Sequence, residues 1–220
     1  MGFVWHSYSK STSDITKHVK YIENRERYGE EEERGLFSEH DNRASRTGFL
    51  KKIDNPINHH SQAVKAHKLL FSMSGNEWER SQFGPGDYQK VIRNVMKEWE
   101  IKKGIRIHWV AAEHRTLGNG NGNGHPHVHV VVAGFYTDRD GIDHRLKITD
   151  EDRKFFKKEF ERTKTRIRGF ELPTREERAQ ERNFYPEFKL DKDITDAFFR
   201  EVERRMHEEQ MEREQSTRSR

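Results

Sequence analysis

The chain contains no cysteine, which removes disulfide bonds and thiolate chemistry from consideration at once. It contains no apolar run approaching the ~20 residues that a membrane-spanning helix needs. Its first residues, Met1-Gly2-Phe3-Val4-Trp5-His6, lack the cationic stretch leading into an apolar one that marks a secretory leader. The expectation is a cytoplasmic protein. Hydrophobic residues are scarce, at 31% against 36% charged, so the polar surface is large for the core. The charges nearly cancel, with 42 Lys and Arg against 38 Asp and Glu. A sequence pI of about 9.2 still falls in the range where nucleic-acid binding is suspected. With a formal net charge of only +4, such binding would depend on how the cations cluster. A length of 220 residues suits one domain, or one domain with an appendage.

Patterning along the chain alternates strand and helix. Phe3 to Tyr8 reads as a strand, and Ser11 to Asp14 offers N-caps for a helix whose apolar residues are Ile15, Val19 and Ile22. Tyr21, Arg25 and Tyr28 fall on one side of that helix. Residues 30–62 read as irregular, a length that usually signals function or disorder. Lys68 to Met73 is a second strand. Gly84-Pro85-Gly86-Asp87 introduces a second helix with the stripe Val91, Ile92, Val95, Met96 and Trp99, ended by Lys103-Gly104. Ile105 to Glu113 is a third strand, Gly118 to Gly124 a Gly/Asn connector, and the strand beginning at His125 its antiparallel partner. Leu146-Lys147-Ile148 is expected as a short fifth strand, and Thr149-Asp150 as the cap of a helix bearing Phe155, Phe156 and Phe160. The predicted fold is α+β: an antiparallel sheet of about five strands with helices packed on it. Residues 1–170 would form this domain, and residues 171–220 a charged helical extension.

The chemistry concentrates in His125-Pro126-His127-Val128-His129-Val130-Val131-Val132. Side chains alternate across a strand, so the histidines share one face while Val128, Val130 and Val132 share the other. The valine face suits a core, and neutral imidazoles suit a divalent ion. Three histidines from 125 to 129 span ~13 Å of strand, too far for one ion to use all of them comfortably. His127 and His129, deeper in the strand, are the better pair. A third ligand must come from elsewhere. In the strand before, His114 is in phase with His108, Val110 and Ala112, whereas Glu113 points the other way. His114 is the preferred third ligand, with His125 and Glu113 as alternatives.

These residues resemble, in order, the motifs of the conjugative relaxases within the HUH endonucleases. The branch most similar is that of plasmid-mobilisation relaxases and the T-DNA border endonuclease. Lys20-Tyr21-Ile22-Glu23-Asn24-Arg25 is similar to the family's tyrosine motif, and His67 to Met73 to the strand motif after it. Glu113-His114 with His125 to Val132 is similar to its histidine motif. The resemblance covers about residues 3–170; the Gly/Asn connector makes the spacing from His114 to His127 longer than is usual there. It implies an HUH-type fold and site-specific nicking and rejoining of single-stranded DNA at an origin of transfer, through a 5′-phosphotyrosine. Tyr21 would be the nucleophile, assisted by Arg25. His114, His127 and His129 would hold the ion (Mg or Mn first; Zn, Ni or Co as alternatives). Accessory DNA-binding and coupling proteins are the implied partners, and no membrane segment is expected.

Other tyrosines compete for the nucleophile's role. Tyr28 lies two turns beyond Tyr21 on the same helix face, Tyr8 ends the first strand, and Tyr88 reads as a packing or surface residue. Tyr136 and Tyr185 follow the histidine motif, as in rolling-circle replication initiators and single-tyrosine transposases, the nearest rival reading. A metal-dependent hydrolase using water and a non-nicking DNA-binding accessory protein are rivals of other classes. His18, one turn before Tyr21, reads as a surface residue in preference to a DNA contact. Arg43, Arg46, Lys51, Lys52, Lys164, Arg166 and Arg168 are the candidate DNA-binding cations.

Overall fold

The computed structural model describes residues 3–24, 35–73, 77, 78, 81, 83, 86–114 and 126–168. The expected extension over 171–220, the Gly/Asn connector, His125, Arg25, Tyr28 and Tyr185 lie outside these, and Arg168 is described by its backbone alone. The elements run β1 (Phe3–Ser9), α1 (Thr12–Asn24), α2 (Arg46–Ile53), a 3-10 turn (Pro56–Asn58), β2 (Ala66–Ser72), α3 (Asp87–Lys103), β3 (Arg106–His114), β4 (His127–Thr137), β5 (Asp143–Arg145) and α4 (Asp150–Arg168). No helix among the described residues is long and apolar enough to cross a membrane.

The fold is α+β. The strands form one antiparallel sheet in the order β1-β2-β4-β3, with β5 pairing the far end of β4. Alternation gives each face its own core. On one side Leu69, Phe71, Val128, Val130 and Val132 pack with the stripe of α3 and with Phe156 and Phe160 of α4. On the other, Val110, Ala112, Val131 and Ala133 meet Ile15, Val19 and Ile22 of α1 and Phe49 and Ile53 of α2. Ile15, Val19 and Ile22 are fully buried, each contributing ~1.5–3 kcal/mol relative to exposure. That burial, rather than intrinsic propensity, holds a 13-residue helix in place. Gly104 stops α3 as its pattern predicts: at φ 66° it adopts the left-handed conformation that glycine tolerates best.

Two expectations require correction. Residues 35–62 are not irregular throughout. Ser45 caps α2 by accepting from the Gly48 N–H, and Leu36 bridges Ala44. A helix with only two buried residues, Phe49 and Ile53, leaves too short an apolar stripe to be recognised by period. The fifth strand is Asp143–Arg145, not Leu146 to Ile148. Leu146 and Ile148 are buried in the core of the α3–α4 side, so their alternation reports anchoring. Leu146 N–H still donates to Gly134 O, at 2.9 Å, extending the pairing by one bond.

Gly134 sits directly against neighbouring backbone. Its N–H donates to Lys65 O at 2.8 Å, and a Cβ at this position would lie 1.9 Å from the Val64 carbonyl oxygen. Backbone cannot rotate away as a flexible side chain can. Gly134→Ala is therefore expected to cost about 3 kcal/mol or more, read as a lower urea midpoint; a loss below about 1 kcal/mol would refute the crowding.

The start of α4 is locked by a reciprocal cap. Asp152 accepts from Thr149 N and Oγ1, each at 2.9 Å, while its own N–H donates to Thr149 Oγ1. The same buried carboxylate accepts from Trp99 Nε1 and Lys103 Nζ, each at 2.9 Å. Burial alone would raise its pKa, but hydrogen bonds from Thr149, Lys103 and Trp99 outweigh it and hold the carboxyl below the usual aspartate range. A depressed folded pKa stabilises above the unfolded value of about 3.9, and that stability is lost as pH falls through the folded value. Asp152→Asn should cost about 2–3 kcal/mol at neutral pH. Its deficit against the parent should shrink below about pH 4 in denaturation series. A deficit independent of pH would contradict the charged role.

Candidate metal centre

Register assembles the histidines. β3 pairs with β4 so that His114 lies opposite His127 and Ala112 opposite His129. Directly paired residues share a face, so all three imidazoles project on the α1 side. One ligand atom from each lies within 4.8 Å of the others. Ring centroids are 5.4 Å apart for His114 and His127, 5.1 Å for His114 and His129, and 5.1 Å for His127 and His129. His114 is buried, and the other two are half-buried. Three imidazole nitrogen donors on two adjacent strands make a donor set that fits a divalent ion and leaves positions for other ligands. Of the alternatives, Glu113 is buried on the opposite face, where it is paired with Val128.

Helix α1 is tied to this cluster by one hydrogen bond. His114 Nε2 lies 2.8 Å from the carbonyl oxygen of Ile22. A carbonyl only accepts, so Nε2 carries the hydrogen and the neutral ring has its lone pair on Nδ1. This arrangement is how ligating histidines are commonly oriented. Tyr21, the residue before Ile22, is half-buried and packs against the core shared by α1, α2 and the sheet.

Four neighbours were not found as site residues from the sequence. His18, one turn before Ile22, is not a surface residue: its ring meets that of His129 at 5.7 Å, edge to face. Its Nε2 is buried without a hydrogen-bond partner among the described residues. Burial, with repulsion from Lys68, pushes this imidazole down to about 3. Lys68 and Ser72 stand on β2 opposite Val131 and His127, and Trp5 on β1 opposite Leu70, which itself faces His129. All share the histidine face. Strand phase from His67 to Met73 could have separated Lys68 and Ser72 from the core residues. His18 carried a signal in helix phase, three residues after Ile15 and four before Ile22, at the edge of the buried stripe.

Other candidates are dispersed. Tyr88 is fully buried, and its hydroxyl donates to Phe71 O at 2.8 Å. Tyr136 stacks on His144, at 5.3 Å, and nine residues of β4 put it ~30 Å from His127. Tyr8 is exposed, on the opposite sheet face, paired with His67. Lys164 is not a DNA-binding cation: it is buried, paired with Glu77 and with Glu161. Arg46 pairs with Glu23, joining α2 to the end of α1. Arg43, Lys51, Lys52 and Arg166 are exposed.

No protein-family profile matches the chain, and no curated protein is similar to it in sequence. Among solved structures, one described as the molecular basis of vancomycin resistance transfer in Staphylococcus aureus aligns at a TM-score of 0.49 and 12% identity, over 78% of this chain and 96% of that one. The conjugative relaxase TrwC in complex with oriT DNA, metal-bound, aligns at 0.49 and 13%, over 75% and 69%. TrwC complexed with a 27-mer DNA comprising the recognition hairpin and the cleavage site aligns at 0.44 and 10%, over 79% and 71%.

Proposed function

We propose that this chain nicks and rejoins single-stranded DNA as a metal-dependent relaxase-type transesterase. The observation that carries the reading is the bond from His114 to Ile22: it docks the helix bearing Tyr21 on the three-histidine cluster. The order of the tyrosine and histidine motifs supports it.

In this reading His114, His127 and His129 hold a divalent ion. When bound, such an ion polarises the scissile phosphate and offsets the charge that develops on it. The Tyr21 oxygen attacks phosphorus; its bond to phosphorus forms as the bond to the 3′-oxygen breaks. The tyrosine proton is lost, and the leaving 3′-oxygen gains one, giving a 5′-phosphotyrosine and a free 3′-hydroxyl. The reverse step rejoins the strand without ATP. Arg25 is proposed to steady a phosphate. Lys68 supplies positive charge on the same face, and half-buried Trp5, two strands from His129 and so ~10 Å away, offers a ring for base stacking. Conjugative transfer or mobilisation, with accessory and coupling proteins as partners, is the proposed setting, and residues 171–220 an appended extension.

The test is incubation of the full chain with short single strands and Mn²⁺ or Mg²⁺. A covalent protein–oligonucleotide species on a denaturing gel is expected, in yields that fall as salt rises. Linear duplex should give little, because a regular duplex keeps its phosphodiester from reaching between helix and sheet. Equal cutting of duplex and single strand, without an adduct, would point to a hydrolase.

A further inference from the structure

A cleft of about 720 Å³ opens away from the histidine triad. It adjoins His67, on the face of β2 opposite the histidine triad; five residues of strand, ~17 Å, separate His67 from Ser72 beside His127. At its floor His6 Nε2 meets His67 Nδ1 at 3.0 Å, and His67 Nε2 lies 3.2 Å from Leu146 O. The carbonyl must accept from His67 Nε2–H, so His67 Nδ1 accepts in turn from His6 Nε2–H. The pair is thus a wired, neutral floor. Burial is the main cause that pushes His6 down to about 4 and lowers His67 as well. The rim is charged: Arg145, whose Nε donates to Ile57 O at 3.2 Å, Lys147, and Arg153, which is ion-paired with Asp150, outnumber that single carboxylate. Arg153 lies close enough to His6 to repel its protonated form. Beside them Tyr8 is 57% exposed, in a strand whose other residues are half-buried or buried.

A neutral hydrogen-bonding floor, a cationic rim, an exposed aromatic ring and a volume within the range of small-molecule sites describe one ligand chemistry. We propose that this cleft binds a nucleoside monophosphate unit, its phosphate at Lys147 and Arg153 and its base against Tyr8. A free mononucleotide and one nucleotide of a single strand share that chemistry. The site is independent of the metal centre.

Titration of the full chain, without added metal, with dTMP, hexathymidylate and inorganic phosphate tests it by calorimetry. dTMP is expected to bind, and the Lys147→Gln/Arg153→Gln double variant and Tyr8→Ala each to weaken it about tenfold. His127→Ala/His129→Ala should bind it as the parent does. Hexathymidylate binding about tenfold tighter than dTMP, and weakened by the same rim variants, assigns the site to a strand, and equal affinities assign it to a free nucleotide. Absence of dTMP binding overturns the proposal, as does binding unchanged in the rim variants or lost in the double histidine variant. Inorganic phosphate binding as tightly as dTMP, with Tyr8→Ala silent, reduces the site to an anion site and equally overturns it. The rim side chains are exposed; if the double variant nevertheless melts early, Lys147→Glu alone supplies the charge test. Failure here leaves the covalent-adduct assay of the metal centre untouched.

Discussion

Tyr21→Phe is expected to eliminate the covalent DNA species, by at least about a thousandfold in initial rate, while metal and single-strand affinity stay nearly unchanged. The substitution removes one oxygen and retains the ring that packs among α1, α2 and the sheet, so the melting temperature should hold. Tyr28→Phe, seven residues further along the sequence, should keep most of the adduct. Tyr136 is too distant along β4 and held against His144. An adduct persisting in Tyr21→Phe, and mapped to Tyr136 or Tyr185, would replace this reading with that of a replication initiator.

The second large effect belongs to the triad. His127→Ala/His129→Ala removes two of three nitrogen donors, and Mn²⁺ affinity should fall by at least about a hundredfold by calorimetry, a larger loss than supporting residues alone give. Adduct formation should vanish with it. The sheet should survive, because His127 and His129 are half-buried and the valine side of β4 carries the core. Affinity in the parent should also fall in acid, since imidazole ligates only when neutral. Unaltered metal affinity in the double variant would sink the assignment.

The parts of the fold legible in the sequence are those set by local periodicity. The valine and histidine alternation of β4, the aliphatic stripe of α1 and the Gly104 stop each report their own element. The phase of His114 sufficed to place it with His127 and His129, because antiparallel partners share a face. Illegible were features decided by distant partners. His18 lies in phase with Ile15 and Ile22, but its meeting with His129 follows only once the sheet is laid beneath α1. Lys164 reads as a free cation until Glu77, 87 residues away, is brought to it. The pairing of His6 with His67 spans 61 residues and follows only from the β1–β2 register. Leu146 to Ile148 misled for a related reason: alternation shows which residues are inward, not whether a neighbour strand runs alongside.

The alternation of β4 also acts as a proofreading device for folding. A slip of one residue against β3 would turn Val128, Val130 and Val132 toward the α1 side and force His127 and His129 into the apolar layer beneath α3 and α4. Val128, moved into a half-buried histidine position, would forfeit part of its ~1.5–3 kcal/mol, and each trapped imidazole would have to find a new partner or lose its hydration. Mis-registered sheets are therefore penalised by the very residues that build the centre. A chain that has closed its valine core has, by that act, already aligned its histidines.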